Sequence, residues 1–312
     1  MKKQTNSELE LNDKVISTSN ITSPNFLPNT SYRKEGRYVK EFDKYGQDRT
    51  GTIRYIFNDL GYRGENYNPD AQRLIYVAGC SHTFGTGLEW EDTFSYIFKK
   101  EYAKNYELNI EDVNLMNFSV GAASNSYLVR TLITQCNVLK PDVLICNFAH
   151  KKNLEIKSPD SNTPYCPSIE QLENAGIINK MNTKLFKIVS NNKRRRPDFL
   201  KHPYFNDANL YVETVKNMLL LQYFCELKDI DYIFAWIDYK NLQSGLDDIE
   251  YTHRFLSDEL NLDHFLDKSV RDTKIDFGAD KESHDVRAHG GIKTNNEYGK
   301  RLFKKYLELY NK

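Results

Sequence analysis

This sequence is short of the features that place many proteins at once. It has no net charge, 43 lysines and arginines standing against 43 aspartates and glutamates in 312 residues. No overall field therefore draws it toward nucleic acid or an anionic membrane. Its five cysteines are widely spaced and include no C-x-x-C pair, which suggests neither a zinc site nor a disulfide framework and fits a reducing compartment. The opening MKKQTNSELELNDK carries lysines but no apolar stretch after them, and no window approaches the length of a membrane span. The expectation is a soluble, cytoplasmic chain long enough to bury a full core without metals or disulfides. No internal repeat is visible.

Phosphate-binding fingerprints are also missing. The glycines around the first apolar run are Gly79, Gly85 and Gly87 with no following lysine, a spacing that satisfies neither G-x-G-x-x-G nor G-x-x-x-x-G-K-[ST]. A G-x-S-x-G elbow fails as well, because position 83 is threonine.

What is present is an alternation of short apolar runs with helical periodicity. Leu74 to Ala78, Val113 to Phe118, Val143 to Phe148 and Tyr232 to Ile237 read as buried strands. Between them, Tyr127, Leu128, Leu132, Ile133 and Cys136 form one helical face, capped by Ser124 or Asn125. A second helix runs to about Lys228, and a last one spans Asn295 to Tyr310 with Tyr298, Leu302, Tyr306 and Leu309 on one side. This pattern predicts an α/β fold, a three-layer α/β/α sandwich with a mostly parallel sheet, and ligands at the carboxyl ends of its strands. Residues 1–30 read as a loose arm and 31–70 as a lead-in in which Ile53, Tyr55 and Phe57 precede an Asn-Asp-Leu-Gly turn, a small hairpin. Residues 71–312 form the main domain, interrupted at about 155–209 by an insertion containing the basic run Lys193 to Arg196.

The strand-to-turn segment AGCSHTFGTGL, Ala78 to Leu88, resembles the first block of the SGNH (GDSL-type) hydrolases, with Ser81 at the position of their catalytic serine. NFSVGAASNSYLVR, from Asn117, is similar to the second block, in which a glycine lends its backbone N–H to the oxyanion hole; that glycine is Gly121, or Ala122 one residue on. The third block departs from the usual G-x-N-D: in CNFAHKKNLE, His150 stands where the oxyanion asparagine belongs, with Asn147 and Asn153 as rivals. Before the last helix, where the family carries D-x-x-H, this chain has Asp285 and His289, one residue farther apart, followed by Gly290 and Gly291; Asp280 and His284 form a competing pair.

The resemblance implies a serine esterase or acylhydrolase cleaving an O-acyl ester, O-acetyl first among them, through Ser81, His289 and Asp285, with Ser81, Gly121 and His150 around the oxyanion. It implies no cofactor and no metal, and a small-molecule or glycan ester as partner. The glycan leaning comes from Tyr62 and Arg63, whose LGYRGEN setting is similar to a lead-in of carbohydrate-directed relatives. A thioesterase or acyltransferase would use the same residues. The alternative of another class is a catalytically degenerate module that binds a glycan or serves structurally. Cys80 is expected to pack behind the turn and His82 to point away from the nucleophile.

Overall fold

A computed structural model describes residues 31–33, 54–56, 58, 60, 62–121, 123–150, 156–157, 164–165, 207–237, 256, 258–278 and 289–311. The expected arm at 1–30 and the basic run Lys193 to Arg196 lie outside these residues. In chain order the elements are β1 (Ser31–Arg33), β2 (Arg54–Ile56), β3 (Arg73–Gly79), α1 (Ser81–Phe84), α2 (Phe94–Asn105), β4 (Val113–Asn117), α3 (Asn125–Val138), β5 (Val143–Phe148), β6 (Ile156–Lys157), β7 (Pro164–Tyr165), α4 (Asp207–Lys228), β8 (Asp231–Trp236) and α5 (Ile292–Tyr310).

Four strands form the main sheet in the order β4-β3-β5-β8, every neighbouring pair parallel. Numbered among themselves they run 2-1-3-4, the doubly wound order in which chain direction reverses beside the first strand. Phe265 adds one parallel bridge to Phe234 beyond β8, where a fifth strand would stand.

The strands are apolar throughout because both faces are covered, yet their side chains still alternate between two cores. Ile75, Val77, Val143, Ile145, Ile233 and Ala235 face a layer containing Phe94, Phe98, Tyr298 and Leu302 of α2 and α5. Leu74, Tyr76, Leu144, Phe148, Tyr232 and Trp236 face the opposite layer, which includes Leu128 and Leu132 of α3 and Met218 and Leu221 of α4. That is the three-layer α/β/α sandwich. Ser124 is the cap of α3, its hydroxyl accepting from Tyr127 N at 3.1 Å.

The lead-in is arranged differently from the expected local hairpin. β2 pairs antiparallel with β1, Tyr55 opposite Tyr32, so its partner lies more than twenty residues upstream. The turn that follows is organised by Asn58, whose Oδ1 accepts from Leu60 N at 3.1 Å and Tyr62 N at 2.9 Å. Residues beyond it run along β4. Glu65 accepts Lys99 Nζ at 2.7 Å and Leu115 N at 3.4 Å, and Asn114 Oδ1 accepts from Asn68 N at 3.0 Å. This gives polar partners to an otherwise open sheet edge. Within the expected insertion, β6 and β7 form a two-residue antiparallel pair, and α4 already starts at Asp207. Among the described residues no helix is long and apolar enough to cross a membrane.

Candidate active site

β3 ends at Gly79, at the point where the sheet changes direction. A Cβ there would collide with the Thr83 side chain and come within 3.0 Å of Asn147 O, so glycine is required by close approach of the next turn. Cys80 then caps α1 from an extended conformation without any side-chain capping bond, and Ser81 is the first helical residue. The helix lasts one turn; the longer α2 begins only at Phe94.

One turn of helix is marginal by itself, and here its carbonyls are taken up by the surroundings. Ser81 O accepts from Gly85 N and Thr86 N, both at 3.1 Å, and His82 O from Gly85 N at 3.3 Å. Thr83 O accepts from Asn117 Nδ2 at 3.1 Å, while Thr83 Oγ1 accepts from Asn147 Nδ2 at 3.2 Å. Asn117 and Asn147 stand near the carboxyl ends of the two strands that flank β3, so the turn is tied to both. Phe84 O accepts from Arg63 Nη1 at 2.7 Å.

His289 enters from the other end of the chain. Its carbonyl accepts from Gly278 N at 2.8 Å, and Phe277 and Gly290 form an antiparallel bridge. The start of α5 has glycine at its N-cap, Gly291, and no capping side chain of its own. Asp276 supplies one. It is fully buried, with Oδ1 accepting from Thr294 N at 2.9 Å and Thr294 Oγ1 at 2.7 Å, and Oδ2 accepting from Lys293 N at 3.0 Å. A Cβ on Gly291 would run into Phe277 O and sit 2.6 Å from Asp276 Oδ2. Asn295 completes the frame by donating to the carbonyls of Gly290 and Gly291, each at 3.0 Å, and accepting from Phe94 N at 3.1 Å.

These two frames bring Ser81 Oγ within 2.7 Å of His289 Nε2 across 208 positions of sequence. The distance is that of a serine hydroxyl beside a base able to take its proton. Both side chains are half-buried, enclosed but reachable.

Of the other expected residues, Gly121 lies on the exposed loop after β4, with no atom within 4 Å of a Cβ built on it. The neighbouring Val120 N donates to Gly79 O at 3.2 Å, so this loop runs beside the end of β3. His150 follows β5 and is half-buried. Ala149, just before it, is pinned by Asn125, which accepts from Ala149 N at 2.8 Å, and by Trp236 Nε1, which donates to Ala149 O at 3.0 Å. The amide of Asn147 is buried and directed at Thr83. Asp285, the rival pair Asp280 and His284, Ala122 and Asn153 all lie outside the described residues.

The two neighbours of Ser81 behave differently from one another. Cys80 is buried in the core and its thiol is pushed up by loss of hydration, which keeps it protonated. His82, expected to point away, lays its ring 4.6 Å from that of His289, centroid to centroid, at 57°. Enclosure, then His289, Arg271 and Lys274, hold the His82 pKa well below the ordinary histidine value. His289 therefore faces a neutral imidazole.

Tyr62 and Arg63 are both buried, so neither lines a cleft in which a sugar would lie. Asp276, Asn295, Asn117 and Arg63 are the residues that sequence reasoning did not assign to the site. The signal for Asp276 was indirect: a helix opening on Gly-Gly has no capping side chain of its own, so an acceptor must come from elsewhere.

No family model matches the chain, and no curated protein matches it. Among solved structures it is similar to the psychrotrophic esterase EstA from Pseudoalteromonas sp., at 11% identity and TM-score 0.42, over 77% of this chain and 100% of that one. It is also similar to a carbohydrate esterase family 2 enzyme with a carbohydrate-binding domain from Corynascus thermopiles, at 10% identity and TM-score 0.38, over 83% of this chain and 74% of that one.

Proposed function

We propose that this chain is a serine ester hydrolase. The observation that carries the reading is the 2.7 Å approach of Ser81 Oγ to His289 Nε2, at the carboxyl end of the first strand of a parallel sheet, where such folds place their ligands. Ser81 Oγ attacks the acyl carbonyl as His289 Nε2 takes its proton. The tetrahedral intermediate then collapses, the imidazolium gives that proton to the leaving alcohol, and an acyl-Ser81 ester remains. Water attacks this ester while His289 accepts one of its protons; the carboxylic acid leaves and Ser81 regains its hydrogen. Asp285 is the proposed partner that orients the imidazole.

The oxyanion is proposed to lie against the N–H groups of Ser81 and Gly121, with His150 as the side-chain donor. Ser81 is the first residue of α1 and Cys80 contributes no side-chain capping bond to that turn, which supports the Ser81 N–H as one of these donors. One such donor is worth about 3 kcal/mol of transition-state stabilisation. Acetyl esters are the substrates of choice for assay, acetylated carbohydrates among them. The test is hydrolysis of p-nitrophenyl acetate by the native chain, by Ser81→Ala and by His289→Ala. Native turnover that both substitutions reduce to background supports the reading; equal rates in all three overturn it.

A further inference from the structure

The geometry points to Arg63 as the positioning residue of the nucleophile: its guanidinium clamps the exit of the one-turn helix that carries Ser81 and thereby sets where that serine stands. This rests on the reading of Ser81 as the nucleophile. Arg63 is 0% exposed, an uncommon state for an arginine. Its Nη1 donates to Phe84 O at 2.7 Å and Gly85 O at 2.6 Å, and Nη2 donates to Leu88 O at 2.5 Å. The guanidinium also lies 5.3 Å from the centre of the Phe84 ring, within the range of a cation–π contact.

Three carbonyls over five residues thus converge on one rigid, planar donor. The last carbonyls of a helix have no partner within it, and a cation is favoured at that end. In a four-residue helix this end is less than two turns from Ser81, and the backbone that orients Oγ and the Ser81 N–H is continuous with the clamped segment. Thr83 is held from the sheet by Asn117 and Asn147; Arg63 holds the opposite, loop side. A lysine has a single point of donation and cannot reproduce the fork. The lead-in segment is therefore part of the active unit through Arg63, with no contact to substrate required of it.

The experiment compares the full-length native chain with Arg63→Lys and Arg63→Ala, measuring fluorophosphonate labelling rate, kcat and KM for p-nitrophenyl acetate, and circular dichroism. Both variants are measured with and without millimolar methylguanidinium. The expected result is two variants folded at the assay temperature, kcat and labelling rate reduced tenfold or more with KM little changed, and methylguanidinium restoring a substantial part of the rate to Arg63→Ala but none to Arg63→Lys. Folded variants with native rates would overturn the inference while leaving Ser81 as nucleophile. Variants that stay unfolded even with methylguanidinium would overturn it too, making Arg63 a folding residue. A native chain inert to the phosphonate and to the ester would fail the reading of Ser81 itself, and the clamp with it.

Discussion

His82 and His289 lie ring against ring, 4.6 Å between centroids, one adjacent in sequence to Ser81, the proposed nucleophile, and the other its proposed base. A cation at His82 would oppose the positive charge that His289 carries in the proposed reaction; enclosure first, then His289, Arg271 and Lys274, hold the His82 pKa well below the ordinary histidine value. The folded pKa of His82 is below that of the unfolded chain, so as pH falls through about 6.5 the unfolded state binds a proton that the folded state refuses. Stability is then expected to decline on acidification below about pH 6.5, by at most about 1.4 kcal/mol per pH unit from this group. Urea midpoints measured from pH 7.5 to 5 check it. His82→Phe, which keeps a ring against His289, should flatten that part of the profile, and an unchanged slope would assign it to other groups.

Asp276 joins the segment before His289 to the start of α5. Asp276→Ala removes three acceptor bonds from buried or partly buried donors at Lys293 and Thr294 and leaves the helix uncapped. A loss of about 2 kcal/mol or more in unfolding free energy is expected, accompanied by a lower kcat, because Gly290, Gly291 and His289 share the same frame. Chemical denaturation and ester turnover measure the two effects. A variant of native stability would remove Asp276 from this account.

The thiols of Cys80, Cys136, Cys146 and Cys225 are all buried and free, and burial raises each of them, Cys136 to about 12. None is a thiolate at neutral pH. Iodoacetamide at pH 7.5 should leave these four unmodified until denaturant is added, as read by peptide mass spectrometry. Rapid alkylation of Cys80 in the folded chain would contradict its burial and make it a rival to Ser81 as the proposed nucleophile.

The sheet was legible because four short apolar runs are bounded by polar residues, and Val143–Phe148 matches its expected limits residue for residue. The pairing of β2 was not legible: alternation at Ile53, Tyr55 and Phe57 identifies a strand but carries no information about its partner, which turned out to be β1. Nor does spacing alone bring Ser81 to His289 over 208 positions; that expectation came from motif resemblance. Arg63 was tied to a glycan substrate by the resemblance of its LGYRGEN setting to a lead-in, and a motif carries no information about burial; in the structure its guanidinium is buried against the carbonyls of Phe84, Gly85 and Leu88. His82 was expected to point away, but its ring lies against that of His289, a contact made by a residue far downstream in the sequence that local helix geometry does not reveal. Asp276 was missed because its role depends on a cap that the glycines at 290 and 291 do not provide.

The most direct test of the account is intact-mass analysis after treatment with a fluorophosphonate, on the native chain, Ser81→Ala and His289→Ala. One adduct is expected on the native chain, none on Ser81→Ala, and formation slowed by about a thousandfold or more on His289→Ala, since a serine without its base is a poor nucleophile. No adduct on the native chain, or an adduct that persists in Ser81→Ala, would contradict it.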